Sequence, residues 1–242
     1  MSGQSNGEYP LGVLMARAQP FHEGHEANVR GAVSRCGRLA FLLGSSNLAR
    51  SYKNPFTYEE RREMVEACFP DEVARGTLVV RPMPDFYRDN RGWAENVKRI
   101  AREVSVSAGE GHLDDRMIAL AGFKKDVATC EYLDMFPEWG DILLAQRVSP
   151  VDATAVREAY FSRESVILSE HLPTPVVDFM KRFRETPEFS RLVGEREEID
   201  HCREVYNSDD PENHTGDILI RHRGKCLLIR RGTRYGHGLW AF

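Results

Sequence analysis

Apolar positions in the first 150 residues come in short blocks separated by amphipathic stretches. Leu11 to Ala16 (LGVLMA) is a continuous apolar run and predicts a strand buried on both faces. From Gly24 the spacing of Ala27, Ala32 and Val33 among polar residues predicts a helix ending near Cys36-Gly37. Leu39 to Leu43 predicts a second strand, closed by Gly44. Thr57, with Glu60 three residues on, has the form of a capping box and opens a helix to about Cys68, just before Pro70. Thr77 to Arg81, Met117 to Ala121 and Ile142 to Ala145 predict three further strands. One helix is expected from Trp93 to about Val106, and another starts near Thr154. Short strands without polar faces, alternating with helices, predict an α/β fold with a doubly wound, Rossmann-like parallel sheet. Ligands of such sheets sit beyond the carboxyl ends of the strands, where strand order reverses. The stretches ARAQPFHEGH, GSSN, PMPDF and AGFKKD all fall there, so a single catalytic face is expected.

After Pro173 the pattern changes. Val176 to Phe183 reads as helix, Glu185 to Asp200 is highly charged and helical in part, and Asn207 to Asp217 (NSDDPENHTGD) has turn chemistry. Ile218 to Ile220 and Cys226 to Ile229 predict two strands about an Arg223-Gly224 turn. The expected division is an α/β domain over 9–185, a linker over 186–213 and the opening of a β-rich second unit over 214–242, too short to bury a core by itself.

Composition narrows the class. The 242 residues are 41% hydrophobic and 29% charged, enough for a core, and the net charge of −4 comes from interleaved acids and bases. No basic face suits nucleic acid, and no apolar run approaches the roughly 20 residues of a spanning helix, so neither partner is expected. The start MSGQSNGEYP lacks the marks of a signal peptide. Cys36, Cys68, Cys130, Cys202 and Cys226 are odd in number and never spaced C-x-x-C, which argues against a disulfide framework and a zinc site. A cytoplasmic protein is expected.

Candidate chemistry begins at His22-Glu23-Gly24-His25, after the first strand. Glycine allows close backbone approach, and a helix start attracts phosphate through free N–H groups and the helix dipole. Two imidazoles there can donate to phosphate oxygens, and the Arg17 fork fits an oxyanion. Such a site suits nucleotidyl transfer, in which negative charge spreads over the attacked phosphate and no protein nucleophile is needed. H-x-x-H lacks the i, i+4 spacing of a helical metal site, so no protein metal ligand is expected. A second anchor lies in SPVDATAVREAYF: Asp152 as N-cap, Thr154 in the first turn, and Arg157 three residues on, with free amides, hydroxyl and guanidinium forming a polyphosphate site.

A strand, H-x-G-H and a late T-x-x-R helix start together resemble the nucleotidyltransferase superfamily. Within it the chain is similar to nicotinamide mononucleotide (NMN) adenylyltransferases of the archaeal-like type, which include bacterial proteins with a Nudix hydrolase domain behind the transferase. RAQPFHEGH, GSSNLARSYKNPFTYEER, PDFYRDNRGW, KKDVATCEYLDMFPEW and VDATAVREAYF carry the likeness in order from about residue 11 to 185. The resemblance implies transfer of AMP from ATP to NMN, giving NAD and pyrophosphate. His22 and His25 would contact the ATP phosphates and Arg157 would join them as a catalytic group. Arg17, Gly24, Lys53, Gly122 and Thr154 would complete the ATP site. Ser45, Asp85, Asn90 and Trp93 would receive NMN, the indole stacking on the pyridinium ring, which also makes sense as a cation–π contact. Mg²⁺ would be held mainly through the ATP phosphates. Self-association is compatible with this class.

The chain departs from the family pattern at Ala16 and Ala18 around Arg17, at Asp152 and Ala153 before Thr154, and at Phe123. The segment GDILIRHRGKCLLIRRGTRYGHGLW resembles the opening strands of a Nudix domain without its glutamate-rich helix, so no pyrophosphatase activity is expected of these residues. Two alternatives stay open: an adenylyl- or cytidylyltransferase with another phosphate acceptor, and a nucleotide-sensing protein with little turnover.

Overall fold

The computed structural model describes residues 7–107, 113–122, 131–144, 152–162, 164–205, 220–222, 225–230 and 240–241. The apolar runs become five parallel strands: β1 (Tyr9–Ala16), β2 (Cys36–Leu43), β3 (Leu78–Pro82), β4 (Ile118–Gly122) and β5 (Ile142–Leu144). Their order is β3-β2-β1-β4-β5. Successive strands step outward from β1 to β3, and the chain then crosses to β4 on the other side of β1. The reversal point therefore lies between β1 and β4, and the loop carrying the two histidines leaves β1 there.

Alternate side chains feed two cores. Leu14, Leu39, Phe41, Leu43, Ala119 and Ala121 face one layer. Leu11, Val13, Ala40, Leu42, Ile118 and Leu120 face the other. This period of two, apolar on both sides, is why these strands read as unbroken hydrophobic runs. The first layer is covered by α1 (Glu23–Val33), α2 (Tyr58–Cys68), α5 (Ala153–Tyr160), α6 (Thr174–Arg184) and α7 (Pro187–Val205). The second is covered by α4 (Asn90–Val106) and by Phe136 and Trp139.

Several boundaries differ from the sequence expectation. Cys36-Gly37 begins β2 rather than ending α1, because its backbone pairs with β1 from Tyr9 onward. A short helix, α3 (Pro70–Ala74), follows α2, with Pro70 in its first turn, where the missing N–H costs nothing. Ala145, expected in β5, and Phe123, Lys124 and Lys125 lie outside the described residues.

The largest difference is at the expected linker. Residues 187–205 form α7, and Phe189 and Leu192 are buried in the first core with α6 residues Val176 and Met180. The α/β unit therefore extends about twenty residues past 185. Farther on, β6 (Arg221–His222) and β7 (Lys225–Cys226) pair antiparallel, while Arg223 and Gly224, the expected turn, lie outside the described residues. β8 (Ile229–Arg230) pairs with β9 (Trp240–Ala241). The first of these strands lies one residue beyond Ile220; Ile218 and Leu219 are outside the described residues.

Candidate active site

His22 is the N-cap of α1, and its Nδ1 accepts the Gly24 N–H at 3.0 Å. His25, one turn on, accepts the His22 N–H through Nδ1 at 3.3 Å. The two rings lie 3.9 Å apart between centroids, and His25 stacks on buried Phe21 at 5.7 Å. Burial holds His22 down to about 4 and His25 well below the ordinary imidazole value. Both rings are therefore neutral near pH 7. With each Nδ1 engaged as an acceptor, the proton resides on Nε2, so each ring keeps one N–H donor.

This geometry corrects the role expected of Gly24. Its amide is used by His22, and a Cβ there would come within 2.9 Å of the His22 ring. A side chain at position 24 would push against the imidazole folded over the helix start. The same correction applies at α5: the Asp152 carboxylate accepts the N–H groups of Thr154 (2.9 Å) and Ala155 (3.1 Å), so these amides are capped, not free. What the two helix starts present is side-chain donors. Arg157 gives one Nη to the Gln19 carbonyl (2.6 Å) and the other to the Thr154 hydroxyl (3.1 Å), while its Nε is buried with no partner. Burial, and then the like charge of Arg17, make its cationic form costly. Through the Arg157–Gln19 bond the start of α5 meets the loop that leads into α1. Lys53 is exposed, in a turn closed by the Ser51–Asn54 backbone pair. Gly122 ends β4 beside β1.

The other end of the site is a cavity of about 690 Å³ lined by Asn47, Asp85, Tyr87, Asn90, Trp93 and Tyr132 among others. Asp85, Asn90 and Trp93 are thus brought together as expected. Ser45 differs. It is buried, absent from the cavity lining, and in the left-handed region with φ 54°. Its N–H and hydroxyl both donate to the Asp85 carboxylate, at 3.2 and 2.8 Å, which offsets that conformation. Asn47 and Asp85 also exchange side-chain and backbone bonds at 3.1 and 2.8 Å. Ser45 and Asn47 therefore orient Asp85. Asp89 caps α4 through Gly92, where a Cβ would sit 2.2 Å from the carboxylate, and this fixes the turn carrying Trp93.

Residues 13–159 match the cytidylyltransferase-like family model. The chain belongs to that family. It is 31% identical over 180 residues to a nicotinamide/nicotinic acid mononucleotide adenylyltransferase of Acinetobacter baylyi, covering 74% of this chain and 89% of the relative. It is 32% identical over 119 residues to a nicotinamide-nucleotide adenylyltransferase of Saccharolobus solfataricus, covering 48% and 67%. The fold matches that of a bifunctional NMN adenylyltransferase/ADP-ribose pyrophosphatase of Francisella tularensis, with a TM-score of 0.79 at 23% identity. The match takes in 96% of this chain and 66% of that one.

Three residues near these groups escaped the sequence reading. Arg61, only 1% exposed, donates to the carbonyls of Arg17 (2.6 Å), Gly44 (2.7 Å) and Thr57 (3.2 Å), tying the carboxyl ends of β1 and β2 to α2. Burial lowers it to about 10, so it remains a cation at neutral pH. Its signal was its place on the apolar stripe with Met64 and Val65. Gln19, buried, clamps Phe56 through both backbone groups. His171 lies 3.9 Å from Glu23 and opposes protonation of His22; no local pattern announced it.

Proposed function

We propose that the chain is a nicotinamide-nucleotide adenylyltransferase, converting ATP and NMN to NAD and pyrophosphate in NAD biosynthesis. The observation that carries this reading is the pair of neutral imidazoles at the start of α1, each left with one Nε2–H, with Arg157 tied to the Gln19 carbonyl of the loop that leads into that helix. These are donors arranged for an anion in a partly dehydrated place, where they act more strongly than in water.

In this reading the NMN 5′-phosphate oxygen forms a bond to the α-phosphorus of ATP. The bond to the β-phosphate oxygen breaks, and its electron pair leaves with pyrophosphate. His22 and His25 donate hydrogen bonds to the α-phosphate, and their neutrality means that no proton need be transferred. Arg17, Arg157, Thr154 and Lys53 hold the triphosphate. Mg²⁺ would be held mainly through the ATP phosphates and would offset their charge, with the imidazole and guanidinium N–H groups facing the phosphate oxygens instead of the ion. Asp85 and Asn90 receive the carboxamide, and Trp93 the pyridinium ring.

The test is incubation of the protein with ATP, Mg²⁺ and NMN, with separate assay of NAD and pyrophosphate. Both products are expected in equal amounts. Pyrophosphate formed only with a phosphate acceptor that lacks a pyridine ring would overturn the choice of NMN, and no product with any acceptor would overturn the transferase reading.

A further inference from the structure

Glu195 is a carboxylate only 1% exposed, in a segment whose sequence reads as a charged linker, and the mechanism above does not use it. Its Oε1 accepts the backbone N–H of Tyr52 at 3.0 Å, and its Oε2 pairs with Arg191 at 3.1 Å. Arg191 also donates to the Arg50 carbonyl at 3.4 Å. One residue on, Arg196 donates to the Tyr52 hydroxyl, stacks over its ring at 5.0 Å and pairs with Asp200 at 2.6 Å. Three side chains of α7 thus converge on one short stretch.

That stretch is a tight turn. Ser51 and Asn54 exchange backbone hydrogen bonds at 3.2 and 3.0 Å, leaving Tyr52 and Lys53 as its two central residues. Tyr52 is buried against Phe161, at the end of α5, and Lys53 is exposed. Neighbouring central residues of such a turn point apart, so anchoring one sets the direction of the other. Phe161 directly follows α5, the helix that carries Arg157, so the turn packs against the end of that helix.

We propose that Glu195 is a positioning residue for ATP: by holding the Tyr52 amide it fixes the Ser51–Asn54 turn and so aims Lys53 at the phosphates. The inference rests on the reading of Lys53 as a phosphate contact. A buried carboxylate suits this work because its bond to a backbone N–H is charge-assisted, and a turn carrying a flexible lysine would otherwise sample many directions.

The experiment is MgATP binding by calorimetry for wild type, Glu195→Ala, Glu195→Gln, Lys53→Ala and the Lys53→Ala/Glu195→Ala double variant, with thermal unfolding of each. Glu195→Ala is expected to weaken ATP about tenfold with NMN affinity unchanged. Glu195→Gln, which keeps an oxygen acceptor, should restore most of the affinity. In the Lys53→Ala background the second change should add nothing. Unchanged ATP affinity in folded Glu195→Ala, or an equal further loss in the double variant, overturns the proposal. If Glu195→Ala does not fold, Glu195→Asp, whose shorter side chain withdraws the carboxylate from the Tyr52 amide, replaces it, and an unchanged ATP affinity or a loss independent of Lys53 in that variant overturns the proposal equally. Wild type that binds ATP yet forms no dinucleotide would defeat the proposed reaction and leave this inference standing.

Discussion

The two ends of the site are built differently. At the phosphate end the imidazoles and Arg157 are held in place by hydrogen bonds and packing, His22 by Gly24, His25 by His22 and buried Phe21, and Arg157 by Gln19 and Thr154, while Arg17 and Lys53 are exposed. At the ring end the cavity is lined by exposed side chains, with Tyr87 86% accessible and Asp85 and Asn90 also exposed. Charge that develops in a transition state rewards donors that need no reorganisation, whereas a bound ring needs only a face and a few polar contacts. Changes at the first end should therefore alter kcat, and changes at the second should alter KM for the mononucleotide.

The sharpest way to break that contrast is His25→Ala. Steady-state kinetics should show kcat reduced about 10²–10³-fold with KM for NMN nearly constant. A KM effect of that size would mean that the imidazole binds substrate without favouring the transition state. Arg61→Leu comes next. It leaves the carbonyls of Arg17, Gly44 and Thr57 without their donor, and chemical denaturation should show a loss of about 3 kcal/mol.

A third test uses pH. The His22 value in the folded chain is depressed to about 4 from the ordinary 6.5. At pH above 6.5 folded and unfolded chains are both neutral there. As pH falls from 6.5 to about 4 the unfolded chain takes up the proton and the folded one does not. Stability should then fall by on the order of 2 kcal/mol across that window, given partial solvent screening. Thermal unfolding of His22→Asn should show a shallower slope that keeps the share contributed by His25, while a slope identical to wild type would remove the argument for a neutral His22 ring. Trp93→Ala should raise KM for NMN by roughly fivefold, with kcat within about twofold, as a cation–π loss implies. Smallest, Ser45→Ala should raise the same KM about threefold, because Asp85 loses its hydroxyl partner and keeps the Asn47 bracket.

Local features were legible. The Thr57–Glu60 capping box is present as spelled, with reciprocal bonds of 3.3 and 2.8 Å, and α2 ends at Cys68 as predicted. Asp152 caps α5 as its residue type suggested. Asp85, Asn90 and Trp93 could be grouped because they lie within nine positions of one another, after one strand and at the start of one helix. The reading failed where partners are far apart. Ser45 and Asp85 are 40 residues apart, and Glu195 meets Tyr52 across 143, so neither spacing carries a signal. Residues 187–205 looked like linker because charge dominates their composition, yet Phe189 and Leu192 suffice to seat the helix once a groove beside α6 exists.

By itself the sequence determined the strands, the helix starts and the types of donor available to a phosphate, because caps, apolar runs and loop residues act within one or two turns of chain. Only the tertiary structure decided which nitrogen of each histidine keeps its proton, which arginine is tied up in holding strands together, and which carboxylate fixes the lysine turn. Those outcomes depend on burial and on partners brought close by the sheet. Dehydration and hydrogen bonding at such contacts act through space, and no pattern of neighbours along the chain encodes them.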